Sequence, residues 1–410
     1  MKAFESAGVA NFELVGRVKL TDFTFKLDLT SEKSDWVRNT LNLLVDCGGG
    51  NEVQSTLSGG YGESRNNVCY VHGKKTRTDA KGNPITKKDS KGDEYEVKTD
   101  DYTNMFTIAW EDRFDEEVLK EVGDGSFLKI GIKKDKDGKT YTEKFVSGYD
   151  AIAYLEQNKD KIDGKVVRVK GSIRYKVYNG NIQCEKEIKS IYLSEVEEDK
   201  FKSEFTQTVL FDKASFGKKD KETGLYDVYL NVLANMKDYD GKKIPKEYFV
   251  DKKKSANIPL AKLFYAENEN IAKLFNDKRV KKGDVTEVVI IGKIVEGRAK
   301  EQVELDDLDD DMKFLVESGM YTMEQLAQTM AVKKERVSQW IIQRPLVKMV
   351  GDEDAKVPQM AIAFNKYKED DLILTFLAEE EPEEEAVVVE EEIEDEESTD
   401  DDDWMSALQD

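Results

Sequence analysis

Through most of the first two-thirds of the chain apolar residues alternate with polar ones, the period of half-buried strands. The pattern predicts strands over residues 12–18, 40–46 and 104–110, and again over 165–175 and 182–193. Between the last two, Asn179-Gly180 has the composition of a tight hairpin turn. Helical spacing is confined to stretches between strands, as at Gly148–Gln157, where Ile152, Tyr154 and Leu155 are apolar. A mainly β protein is expected.

The same order then recurs. Strand patterns at 205–211 and 226–233 precede an Ala, Leu and Phe-rich helix predicted over 260–275, a strand at 283–295 and a late strand pair at 359–364 and 372–376. Residues 163–173 and 282–294 match most closely, each with a glycine opening the strand and another inside it, Gly171 and Gly292, where the strand must bend. Strands, a helix, then two strands with a glycine bend in the fourth is the order of the OB-fold, a five-stranded Greek-key barrel. Other small barrels and α+β sheets share that order. The expected architecture is two OB-like barrels, over 1–198 and 199–378. The first carries a basic insertion near 71–103, the second a helical one near 298–345.

Charge changes the picture at the C-terminus. The chain has 410 residues and a formal net charge of -22, yet residues 379–410 hold 18 of its 85 carboxylates and no Lys or Arg. The rest is near neutral, with 67 acidic against 63 basic side chains. A segment of nearly pure Glu, Asp and Val repels itself, so a disordered acidic tail is expected there. With no run of 18 apolar residues and no apolar core behind Met1, neither a membrane span nor a secretory leader is expected, and the cytoplasm is the expected compartment. Three cysteines without Cys-x-x-Cys spacing, beside a single histidine, His72, argue for buried thiols over metal or disulfide chemistry. The lone histidine also disfavours triad catalysis, and the run Asp306 to Asp311 lacks the fixed geometry of two-metal sites. No cofactor and no enzymatic activity are expected.

Single-stranded nucleic acid is held by cations that neutralise phosphates and by aromatic rings that stack on bases. Lys74, Lys75, Arg77, Lys87 and Lys88 crowd a polar insertion that reads as a mobile finger. The glycine-rich stretch 48–65 lacks the Gly-Lys-Ser/Thr ending of a P-loop and reads as a flexible loop offering Tyr61 and Arg65. Arg168, Lys170, Arg174 and Lys176 alternate with Val167, Val169, Ile173 and Val177, which puts the cations on the solvent side of a strand, flanked by Tyr175 and Tyr178. The alternative is a solvated strand face with two core tyrosines. Trp36, Trp110, Phe211 and Tyr229 read as core.

Residues 321–340 resemble helix-turn-helix DNA-binding modules, with Leu326-Ala327 in a first helix and Val337 and Trp340 on the buried face of a second. The resemblance implies a helix presenting Lys333, Lys334, Arg336, Ser338 and Gln339 to a duplex. Met330-Ala331 stands where that turn usually has glycine, and a helical hairpin packed on the barrel is the alternative.

The tail ends in Asp402-Asp403-Trp404-Met405-Ser-Ala-Leu408-Gln-Asp, acids that steer followed by an apolar plug. Here the chain resembles the single-stranded DNA-binding proteins of bacteria and phages, whose OB-folds carry an acidic tail with a hydrophobic tip. The resemblance covers the tail and, loosely, the repeated Gly-strand-Gly segments; the chain is longer than the bacterial type and lacks a terminal Pro-Phe. It implies a protein, phage-encoded by this reading, that coats single-stranded DNA in replication, recombination or repair. Asp402, Asp403, Trp404, Met405 and Leu408 would recruit a polymerase, helicase or primase. Two other classes stay open: a duplex-binding replication or transcription regulator, and an acidic virion assembly protein.

Overall fold

The structure is a computed structural model that describes residues 4–31, 34–62, 67–79, 81–89, 91–134, 136, 138–221, 223–249, 255–298, 310–318, 320, 336–351 and 356–377. The chain divides into two units, 1–373 and 374–410. The first unit is mainly β, and ten of its strands make two closed rings.

In the first ring β1 (Ala10–Lys19), β2 (Ser34–Asp46), β3 (Glu52–Gly62), β4 (Val166–Tyr178) and β5 (Asn181–Leu193) pair in the order β1-β2-β3-β5-β4 and back to β1. Only the β3–β5 contact is parallel, which is the OB topology. Between β3 and β4 lies helix α1 (Gly148–Gln157), capped by Ser147 and burying Ala151, Ile152 and Leu155. In the second ring β6 (Lys202–Phe211), β7 (Tyr226–Met236), β8 (Ala256–Ala266), β9 (Asp284–Arg298) and β10 (Arg336–Pro345) repeat that order, with α2 (Glu269–Leu274) after the third strand.

Both glycine bends fall where the barrel wall folds over. The register of β4 against β5 shifts between Lys170 and Gly171, and that of β9 against β10 between Ile291 and Gly292. A Cβ on Gly171 would sit 1.8 Å from the Glu187 carbonyl oxygen and 2.7 Å from the Phe12 ring, and one on Gly292 2.2 Å from the Ile341 carbonyl oxygen and 2.7 Å from Phe205. The barrels meet along β1 and β6, antiparallel, with Phe12 opposite Phe205, so equivalent residues face each other across the joint. Polar ties flank it. Lys186 on β5 donates to Glu296 on β9 at 2.7 Å, both nearly buried, and Asn51 donates to Ser203 Oγ and the Ile294 carbonyl at 2.8 Å each.

Three sequence expectations are corrected. The segment 260–275 is not one helix: its first part belongs to strand β8 and only Glu269–Leu274 is helical. Residues 256–260 are buried on both faces, so no alternation marks them as strand. The fifth strand of the second barrel is β10, not the late pair; beyond it Val357–Met360 and Ile362–Lys368 are strands, and 3₁₀ turns occupy Glu369–Leu372 and Thr375–Leu377. The glycine-rich stretch after residue 48 is strand β3 rather than a loop. Its glycines hid the alternation but serve packing, since a Cβ on Gly59 would lie 2.5 Å from the Tyr149 backbone nitrogen of α1.

The basic insertion is also built differently from a mobile finger. Strands Val68–Thr76 and Lys98–Ala109 pair as a ribbon with its own small core of Cys69, Val71, Ile108, Val122 and Phe127. A second short hairpin, Thr86–Lys88 against Glu94–Glu96, lies beyond its end.

Burial governs the thiols. It pushes Cys47 up to about 12 and Cys184 up to about 11, and raises Cys69 as well. At pH 8 the native protein should therefore show almost no reaction with a disulfide reagent such as Ellman's, while all three thiols react once it is unfolded. Fast labelling of the native chain would contradict this packing.

Candidate nucleic-acid interface

The outer wall made by the second and third strands of an OB barrel is its usual ligand surface. In the second barrel that wall carries rings. Along β7, Val228, Leu230 and Val232 are fully buried while the alternate Asp227, Tyr229 and Asn231 point outward. Tyr229 is 54% exposed and stands opposite Leu263 of β8, itself 37% exposed, with Tyr265 opposite Asp227 one step along. Burial and the nearby Asp227 and Asp220 raise the Tyr265 hydroxyl above its ordinary range, so it stays neutral and can donate. A short strand between β6 and β7, Phe216–Lys219, pairs with β7 and adds Lys218 and Lys219, both exposed, the latter 5.4 Å over the Tyr226 ring.

On the first barrel period 2 placed the β4 cations correctly: Val167, Val169, Ile173 and Val177 are buried, and Lys170 and Arg174 are exposed. Their charge is largely answered. Arg168 and Lys170 share Glu13 with Lys202, at 3.5, 3.6 and 3.3 Å, and Arg174 shares Glu187 with Lys189. Lys176 is half-buried. Tyr175 is not beside them. It is 5% exposed and its hydroxyl donates to buried Gln207 at 3.2 Å, because the residue falls on the inward set of β4. Tyr178 is 44% exposed beside the turn Asn179-Gly180, whose backbone N–H groups donate to Asp240 at 2.8 Å each.

Residues 117–335, just over half of the chain, match the YorF family. The chain belongs to the YorF family. No curated protein matches it. Among solved structures it resembles the wild-type single-stranded DNA binding protein from Thermus aquaticus, at 12% identity and a TM-score of 0.28, over 71% of this chain and 87% of that one. A deletion mutant of the same protein aligns at 10% identity and a TM-score of 0.28, over 70% and 87%. Superpositions that loose transfer no property to this YorF-family chain.

The remaining predicted residues are scattered over this YorF-family fold. Tyr61 lies on β3 and packs against Trp110 and Tyr149, with ring centroids 5.1 and 5.3 Å away. Lys74, Lys75 and Arg77 belong to the ribbon and the residue that follows its first strand, a sheet separate from β4; Lys74 donates to the Lys120 carbonyl at 2.6 Å and Lys75 pairs with Asp101 at 3.5 Å. Lys87 and Lys88 are exposed on the second hairpin. Arg336, Ser338 and Gln339 sit on strand β10 rather than on a recognition helix. Trp340 is 2% exposed against Phe205, 4.9 Å between centroids, so core packing in the barrel overrode the helical spacing. Arg65, Lys333, Lys334, Asp402, Asp403, Trp404, Met405 and Leu408 lie outside the described residues.

Tyr229, expected in the core, is exposed, while Phe211 is buried as expected. The signal for Tyr229 was available. In Tyr226-Asp-Val-Tyr-Leu-Asn-Val232 the aliphatics take one parity and Tyr229 shares the other with Asp227 and Asn231.

Proposed function

We propose that this chain is a non-enzymatic protein that binds and coats single-stranded DNA in replication, recombination or repair. By this reading it works in a cytoplasm, that of the host if it is phage-encoded. Barrels over 1–198 and 199–378 hold the strand, and residues 379–410 dock polymerase, helicase or primase through Trp404, Met405 and Leu408. The observation that carries the reading is the wall of exposed Tyr229 and Leu263 with half-buried Tyr265, flanked by Lys218 and Lys219, on the customary ligand face of an OB barrel. Rings left in water cost the fold apolar burial, and flat bases are what such rings stack against.

A gel-shift competition between poly-dT and random duplex tests it. Poly-dT should displace the labelled strand at far lower concentration, and preference for duplex would sink the reading. The acidic tail is proposed to compete with DNA for the cationic surfaces. Removing residues 379–410 should therefore tighten single-strand affinity at low salt and weaken partner recruitment. Equal affinities at low salt would end the competition idea.

A further inference from the structure

The two barrels offer an internal comparison, because each position in one has an equivalent in the other counted from the paired Phe and Gly. Phe12 pairs with Gly171 and Phe205 with Gly292. Arg17, five residues beyond Phe12, thus corresponds to Leu210; Arg168, three before Gly171, corresponds to Val289; Lys165 corresponds to Thr286. In the second barrel the Leu210 position is apolar and covered. Leu210 is fully buried in a cluster with Phe4, Leu233 and Val285, against which Tyr367 and Leu372 pack. Strand Ile362–Lys368 covers the adjoining edge of β9.

In the first barrel the same end is an open cleft of 710 Å³ lined by Arg17, Lys134, Lys165 and Arg168, with Tyr192 in its wall and Glu195 the one carboxylate among its described lining residues. Arg17 is held in place by donating to the Gly164 carbonyl at 3.0 Å, and Lys134 pairs with Glu195 at 2.5 Å. Lys165 is exposed and makes no side-chain hydrogen bond or ion pair among the described residues. The fold does not require cations here, since its second copy fills the position with Leu, Thr and Val. Arg17 and Lys165 carry no carboxylate partner among the described residues, while Arg168 and Lys134 would exchange Glu13 and Glu195 for phosphate, so the cleft matches a run of phosphates.

We infer that this cleft binds the phosphodiester backbone of single-stranded nucleic acid, as a second site, on the first barrel where the stacking wall is on the second. The inference rests on the proposed function and extends it to the first barrel. A strand would thread its phosphates past Arg17, Lys165 and Arg168 and lay its bases on Tyr229 and Tyr265 of the second barrel.

The test uses the full chain, labelled oligo-dT and a salt series, with the double variant Lys134→Gln/Lys165→Gln. Both side chains are solvent-exposed, so the fold should hold, and an unchanged circular dichroism melt checks that. Each phosphate contact on a single strand contributes about 0.7 to the slope of log affinity against log salt, so the double variant should lower that slope by about 1.4. Tyr229→Ala should weaken binding with the slope intact. An unchanged slope in the double variant overturns the cleft while leaving single-strand binding standing. A double variant that binds DNA more tightly, as expected of the tail deletion, makes the cleft a seat for the acidic tail and also overturns the inference. If the wild type binds no oligo-dT, the proposed function itself falls. Calorimetry with tripolyphosphate then decides the cleft separately: binding lost in the double variant upholds an anion site, and no binding removes it.

Discussion

Gly171→Ala should destabilise the protein by about 3 kcal/mol or more, the upper range for overpacking a closed interior. The added methyl would collide with the Glu187 carbonyl oxygen at 1.8 Å and the Phe12 ring at 2.7 Å, and neither can retreat. The carbonyl belongs to β5 and Phe12 is a buried residue at the joint between the barrels. Gly292→Ala meets the same obstacle against Ile341 and Phe205 and should behave alike. Gly164→Ala is the control: its φ of 63° disfavours a side chain, yet nothing lies within 4 Å, so the cost should stay near about 1 kcal/mol. Urea midpoints of the three variants measure the difference. A Gly171→Ala midpoint matching wild type would mean that β4 does not fold over at this residue.

The largest effect on binding is expected from the outer wall of β7 and β8. Each base stacked on an aromatic ring contributes about 1–3 kcal/mol, so Tyr229→Ala/Tyr265→Ala should weaken single-strand affinity by about 2–6 kcal/mol, roughly 30-fold at the least. Tyr229→Phe should bind nearly as wild type, because the ring and not the hydroxyl supplies the stack. Thermal stability should change little on Tyr229→Ala, since more than half of that side chain already faces water. Fluorescence anisotropy with labelled oligo-dT reads all three. Wild-type affinity in the double alanine variant would remove this wall from the binding surface.

How far these residues were legible depends on which neighbours had to be known. Period 2 marked β1, β4, β5, β6 and β7 and put the β4 cations outward, because alternation is a property of a single strand with one wet face. The two interior glycines were visible as a repeat and lie where both barrel walls fold over. The Asn179-Gly180 turn follows from the positive φ that both residues adopt, 48° and 73°. Strand β3 was missed because Gly59 is shaped by α1, a partner 89 residues away in sequence. Strand β10 was mistaken for helix because Val337 and Trp340 are three apart, and only Phe205 and Phe264 on other strands show that Trp340 belongs to a barrel core.

By itself, then, the sequence determined the mainly β class, the repeated order of strands, helix and strands, and the confinement of excess negative charge to the last 32 residues. These follow from local propensity and composition, which need no knowledge of neighbours. Only the tertiary structure decided which strands close each ring, and which cations are answered by Glu13 and Glu187. It alone also showed that Leu210 of the second barrel is sealed under Phe4 while its equivalent in the first, Arg17, lines an open cleft with Lys165. Burial and charge compensation are properties of what covers a residue from elsewhere in the chain, and equivalent positions in the two barrels received opposite answers.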